Sequence, residues 1–152
     1  DRRICTKLAD RVEMVKILAS LDEKFAMSDV EITRGGPSYM ADTVTELSFV
    51  EPAEYWVIMG ADSLKTFEQW KNPFRLTRLA RLAVAARPPI ESDKVLSLVD
   101  AEYHERIDLI PFEPLETSST EIRDRVLKNL PLGNMVPTKV LQYIQKQKLY
   151  KL

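Results

Sequence analysis

The stretch Ser118-Ser119-Thr120-Glu121-Ile122-Arg123 has the residue types and spacing that bear most directly on chemistry. Its hydroxyls and backbone amides open a helix, and a guanidinium falls in what reads as the first turn. The start of a helix already carries partial positive charge from unpaired N–H groups, so an arginine there is badly placed for stability alone. It makes sense where an anion binds, because the helix end and the guanidinium then converge on one phosphate. Ser118 and Glu121 also fit the S-x-x-E capping box, and a well-capped helix with a surface arginine is the competing reading. The dipole-opposed Arg123 and its position after a strand favour an anion site, and with it a nucleotide- or phosphate-handling protein.

A second cluster is Gly60-Ala61-Asp62-Ser63. Aspartate is a favoured N-cap and glycine allows a turn. Alternatively, the Gly60 backbone lies close to a nucleotide and the Asp62 carboxylate accepts from ribose hydroxyls. Trp70 offers either packing area or a planar wall for a stacked heteroaromatic ring. Gly36-Pro37-Ser38-Tyr39 is a turn and cap, or a set of amides and hydroxyls lining a pocket. Trp56, inside an apolar run, reads as core. Tyr103 and His104 read as a solvated loop. A lone histidine and a single cysteine, Cys5, leave no metal or triad arrangement and no internal disulfide.

These residues need elements to position them. Apolar spacing predicts a helix over 8–21, with Leu8, Val12, Val15 and Leu18 on one face, widened by Met14, Ile17 and Leu21. Residues 29–33 alternate like a strand, and Gly35-Gly36-Pro37 breaks the chain. Ser38 can cap a helix to about Phe49, with Met40, Val44 and Leu47 inward. Tyr55–Met59, Leu82–Ala86 and Ile107–Ile110 read as strands buried on both faces. Between them fall Gly60-Ala61-Asp62-Ser63 and then a helix through Trp70, one from Pro73 to about Ala80, and one over 91–103. Ser118 opens the next helix, with Ile122, Val126 and Leu130 as its stripe. Pro137 suits the first position of the last, with Val140 and Ile144 inward. Alternating strands and helices define an α/β, doubly wound parallel sheet. Ligands of such sheets bind beyond the carboxyl ends of the strands, where Gly60-Ala61-Asp62, Arg87-Pro88 and Ser118 to Arg123 fall.

With 152 residues, the natural expectation is one domain over 1–152. A near-balance of 22 basic and 23 acidic residues argues against a large nucleic-acid footprint. No apolar run is long enough to cross a bilayer and no signal peptide is visible, so a cytoplasmic enzyme or binding domain is expected.

Together the pieces resemble one family. Arg11-Val12-Glu13-Met14, Gly36-Pro37-Ser38-Tyr39 with Asp42-Thr43, Gly60-Ala61-Asp62-Ser63, Trp70, Arg87-Pro88, Ser118 to Arg123 and Leu149-Tyr150 follow the order and spacing of bacterial nicotinate-nucleotide adenylyltransferase. The resemblance implies a Rossmann-like nucleotidyltransferase fold. It also implies transfer of the adenylyl group of ATP to nicotinate mononucleotide, giving deamido-NAD and pyrophosphate in NAD biosynthesis, with Mg²⁺ accompanying ATP. Ser118, Thr120 and Arg123 would then hold the ATP phosphates, while Gly60 and Asp62 contact its backbone and ribose. Trp70 would stack on the pyridine ring, and Ser38, Tyr39 and Met40 would line the nicotinate site. The family usually has threonine at the position of Met40; the backbone N–H remains, but the hydroxyl is absent, which leaves the preference for nicotinate over nicotinamide open.

The family's G-x-F-D-P-x-H-x-G-H signature, with its two catalytic imidazoles, is absent from the 152 residues, so no catalytic residue is assigned. The resemblance implies that this element lies upstream, leaving a domain incomplete at its N-terminus and inactive as a fragment. It further implies that residues 29–33 lack a strand neighbour and that Tyr55–Met59 presents a raw edge, which invites pairing with another copy in a homo-oligomer. Two other classes remain open: a non-catalytic nucleotide-binding module without the H-x-G-H element, and another adenylyl- or cytidylyltransferase of the same fold. Trp70 and Gly36-Pro37-Ser38-Tyr39 speak against the latter.

Overall fold

The computed structural model describes residues 6–86, 91–113 and 117–150. Arg87-Pro88 and Cys5 lie outside the described residues. The chain divides into two compact units, one of residues 29–114 and one of residues 1–28 with 115–152.

The first of these units is built on a three-stranded parallel sheet in the order β1 (Tyr55–Gly60), β2 (Ala80–Ala85), β3 (Ile107–Ile110). The parallel sheet agrees with the fold class expected from the alternation of elements. Parallel neighbours need crossovers, and the chain supplies them. Two short turns (α4, Ala61–Leu64, and a 3₁₀ turn, Phe67–Gln69) and α5 (Pro73–Leu79) connect β1 to β2. Three 3₁₀ turns, Ser92–Lys94, Leu96–Leu98 and Ala101–Arg106, connect β2 to β3. Leu82 and Val84 of β2 are fully buried with Leu64, Phe67, Leu76 and Val95. Tyr103 meets Phe67 edge-on at 5.3 Å between ring centroids.

Several expectations are corrected. Residues 29–33 do not form a strand: α2 (Val30–Arg34) is a short helix packed on α3 (Met40–Val50). Alternation over five residues is too short to separate the two periods, and the polar side chains decide. Arg34 donates to Glu46 Oε1 at 2.7 Å and to Thr43 Oγ1 at 3.0 Å, while Thr43 donates to Glu31 Oε1 at 2.6 Å. Glu31 and Arg34 can share that partner only at helical spacing. Glu46 and its acidic neighbours hold the Arg34 guanidinium above its ordinary pKa. Gly35 and Gly36 end the helix at φ of 68° and 70°, a region that favours glycine.

Residues 91–103 are not a continuous helix. Val95, Val99 and Tyr103 are buried at the expected spacing of four, but Val99 is extended, and the Asp100 N–H bonds to Glu68 Oε1 at 2.7 Å rather than within a helix. Tyr103 is therefore core rather than loop; burial pushes its phenol pKa up. His104 is half-buried, 3.3 Å from the Val99 carbonyl. The segment from Gly60 to Trp70 is likewise two turns rather than one helix.

β1 is buried on one face only. Val57 and Met59 face the core, whereas Trp56 is 47% and Ile58 75% exposed. Trp56 is thus not core. Its indole N–H donates to Asp108 Oδ2 at 2.8 Å, and Arg81 donates to both oxygens of the same carboxylate, at 2.6 and 2.7 Å. One residue from each strand forms this row across the sheet. β3 buries Ile107 alone.

The other unit packs α1 (Leu8–Ala19), α6 (Ser119–Leu127) and α7 (Thr138–Lys146) around Val126, Leu132, Val140 and Ile144. Val140 and Ile144 face inward as their spacing predicts. In α1 the inward side chains are Met14 and Ile17, while Leu8, Val15 and Leu18 are exposed. Tyr143 donates to Asp10 Oδ1 at 3.0 Å, which fixes the rotation of α1 against α7. Leu130 lies beyond the end of α6 and is exposed, and Pro137 is the N-cap of α7 rather than its first helical residue.

Candidate functional site

Ser38, Tyr39, Met40 and Trp70, separated by some thirty residues in sequence, line one pocket of about 360 Å³ together with Gln69 and Lys71. The local chemistry explains why. Ser38 does not cap α3; Tyr39 is the N-cap residue, with no side-chain capping bond, and Met40 starts the helix. Asp42 and Thr43 N–H both bond to the Tyr39 carbonyl, at 3.0 and 3.1 Å. The N–H groups of Met40 and Ala41, which precede them, have no intrahelical acceptor. Ala41, Thr43 and Val44 take the buried face, and Met40, 37% exposed, is turned to the pocket instead of inward.

Trp70 follows the Phe67–Gln69 turn and is half-buried, its ring 5.6 Å from that of Phe67 at 54°. One side of the indole packs on the core and part of it stays open, so packing and pocket wall are both satisfied by the same residue. Asn72 then takes a left-handed conformation, φ 54°, before Pro73 starts α5. Lys71, held between them, places its ammonium 4.2 Å from the Tyr39 ring centroid and donates to Asp42 Oδ2 at 3.2 Å. Arg75 approaches the other oxygen of Asp42 at 3.6 Å. Sequence reasoning missed Gln69 and Lys71 as lining residues; the available signal was adjacency to Trp70.

Gly60 ends β1 at φ −80° and ψ 155°, a conformation open to any residue, so the turn itself does not require glycine. A Cβ built there meets nothing within 4 Å. The space that glycine leaves is therefore open. Asp62 is exposed in the first turn of α4, a favourable place for a carboxylate.

In the other unit, Ser118 is the N-cap of α6 and its hydroxyl accepts from the Glu121 N–H at 3.1 Å. Half of the expected capping box is present; the Glu121 carboxylate instead accepts from Arg125 Nε at 3.0 Å. Arg123 sits in the second turn of α6, not the first, because the helix begins at Ser119. Helical side chains slant toward the N-terminus, and its guanidinium reaches back to donate to Thr120 Oγ1 at 3.2 Å. Among the described residues no carboxylate pairs with Arg123. Gly60 and Asp62 belong to one compact unit and Ser118, Thr120 and Arg123 to the other.

Among the described residues, no group of three or more His, Cys, Asp or Glu is placed to hold a metal ion, and no helix is long and apolar enough to cross a membrane.

The parallel sheet is that of an α/β protein, and residues 3–125 match the family described as Cytidylyltransferase-like, which gives the class. Among curated relatives, the chain is 34% identical over 158 residues to a Chromobacterium violaceum protein named "Probable nicotinate-nucleotide adenylyltransferase", covering 94% of this chain and 74% of that one. It is 36% identical over 143 residues to the Herpetosiphon aurantiacus protein of the same name, covering 92% and 72%. The chain belongs to the nicotinate-nucleotide adenylyltransferase family. The fold agrees: Plasmodium falciparum nicotinic acid mononucleotide adenylyltransferase complexed with APC superposes with a TM-score of 0.72 at 18% identity, over 95% of this chain and 76% of that one. The same enzyme complexed with NaAD gives 0.72 at 17%, over 99% and 77%.

Proposed function

We propose that this protein transfers the adenylyl group of ATP to nicotinate mononucleotide, giving deamido-NAD and pyrophosphate. The observation that carries the reading is the convergence of Ser38, Tyr39, Met40 and Trp70 on one pocket, in a chain of this family. Trp70 supplies a ring wall, Ser38 and Tyr39 supply hydroxyls, and Met40 supplies a helix-start N–H. Ser118, Thr120 and Arg123 hold the ATP phosphates, and Gly60 and Asp62 take the nucleotide backbone and ribose. The open space at Gly60 and the absence of a carboxylate partner for Arg123 among the described residues support those roles.

An oxygen of the mononucleotide phosphate attacks the α-phosphorus of ATP in line. The new P–O–P bond forms as the α–β bridging bond breaks, and pyrophosphate leaves with the bonding electron pair. No protein nucleophile is required, so catalysis rests on positioning and charge stabilisation. Nucleotidyl transfer of this class uses a divalent ion; we take it to be Mg²⁺, entering with ATP as part of that substrate. The family match runs through both compact units, which supports treating 1–152 as one nucleotidyltransferase domain, and we place the enzyme in the cytoplasm.

The test is a coupled assay on the complete protein, with its H-x-G-H element, using MgATP and nicotinate mononucleotide and following pyrophosphate and deamido-NAD. Product formation is expected; a protein that binds both nucleotides without turnover is instead a binding module.

A further inference from the structure

The pocket at Trp70 carries a charge that the family assignment does not explain. Among the described residues lining it, Ser38, Tyr39, Met40, Gln69, Trp70 and Lys71, the lysine is the basic one. Its ammonium is held in place rather than waving in solvent: it sits over the Tyr39 ring at 4.2 Å and donates to Asp42 at 3.2 Å. Asp42 is also approached by Arg75 at 3.6 Å, so one carboxylate faces two cations. Lys71 remains 47% exposed and has further N–H donors to offer beyond the one that Asp42 accepts. The start of α3, without a side-chain cap, adds partial positive charge beside the same pocket, which Met40 lines.

A pocket with a flat aromatic wall, a fixed ammonium and a helix start at its edge suits a planar ring bearing an anionic substituent. A ring bearing a neutral amide meets the same wall but gives the ammonium no second anion beside Asp42. We infer that Lys71 is the specificity residue that reads the charge on the pyridine ring, favouring the carboxylate of nicotinate over the carboxamide of nicotinamide. This rests on the pocket being the mononucleotide site. Asp42 and Tyr39 act as positioning residues for the ammonium. The mononucleotide phosphate is the other anion that Lys71 could meet, and comparing the two nucleotides separates these cases because only the ring substituent differs.

The experiment is titration calorimetry of the protein with nicotinate mononucleotide and, separately, nicotinamide mononucleotide. It compares wild type, Lys71→Met, Lys71→Arg and Trp70→Ala. Lys71→Met should weaken the nicotinate form about tenfold or more and change the nicotinamide form by less than about twofold, as expected for loss of one charge-assisted contact. Lys71→Arg should restore most of the difference, because it returns the charge. Equal losses for both nucleotides would mean that Lys71 meets the phosphate and would overturn the inference, as would an unchanged affinity for the nicotinate form. Trp70→Ala should weaken both. If it changes neither, the pocket assignment itself fails; if it weakens both while Lys71→Met is silent, only the role of the lysine fails.

Discussion

Arg123 Nη2 lies 3.2 Å from Thr120 Oγ1, one turn back along the same helix. The contact draws the guanidinium from the second turn back toward the helix start, where the dipole opposes it, and a neutral hydroxyl compensates little of that charge. The neighbouring Arg125, by contrast, is paired with Glu121 at 3.0 Å and also bonds the Pro131 carbonyl at 3.1 Å. The two arginines of the helix therefore differ: Arg125 is tied to the local structure, while Arg123 has no carboxylate partner among the described residues and, on the proposed reading, is left for a ligand.

From this division, Arg123→Ala should lower kcat/KM for ATP by roughly tenfold to a hundredfold, the scale of a lost charge-assisted hydrogen bond. The thermal midpoint should stay close to wild type. Arg125→Ala should show the reverse pattern, with a lower midpoint and a smaller kinetic effect. Steady-state kinetics beside thermal melts decide it, and unchanged kinetics for Arg123→Ala would remove that residue from the site.

Gly60→Ala separates conformation from ligand approach. At φ −80° with open space around the added Cβ, alanine should fold without strain and leave the midpoint unchanged or slightly higher. If the nucleotide lies against this backbone, kcat/KM for ATP should still drop by about tenfold, because a methyl group would hold the phosphates away from their partners. A fully active Gly60→Ala enzyme would show that nothing approaches here.

The row Trp56, Asp108 and Arg81 makes stability depend on acid. Bonds from Arg81 first, and from Trp56 second, lower the Asp108 carboxyl from its ordinary 3.8 to about 2. A group depressed in the folded state stabilises it above the unfolded value and loses that contribution as pH falls toward the folded one. The thermal midpoint should therefore drop between pH 4 and about 2, with Asp108→Asn showing a shallower fall across that window. Melts followed by circular dichroism at stepped pH measure it; parallel curves for the two proteins would count against the row.

Leu82→Ala tests the sheet core. Leu82 is completely buried in the middle strand, and truncation should cost about 2–5 kcal/mol, the range for a cavity left at such a site. Chemical denaturation gives the value directly. A loss under about 1 kcal/mol would mean that the core collapses around the gap.

Much of the local structure around the candidate residues was legible because its parts are short and contiguous. The N-cap at Ser118, the strand ending at Gly60, and the placing of Ser38, Tyr39 and Met40 at a helix start all follow from residues within a few positions of one another. Lys71 was not legible in the same way. Its role depends on reaching Tyr39 and Asp42, about thirty residues away, and nothing in its own neighbourhood signals that contact. Residues 29–33 failed for a related reason: Glu31 and Arg34 become helical because Thr43 and Glu46 lie where they do.

By itself, the sequence determined the three apolar runs that become parallel strands and which family the motif order resembles, because backbone preference and apolar period are written in consecutive residues. The tertiary structure alone decided which face of β1 is covered, which arginine of α6 stays without a carboxylate among the described residues, and which cation enters the Trp70 pocket. Those outcomes depend on side chains brought together from distant positions, and burial and charge pairing are settled only when the partner is in place.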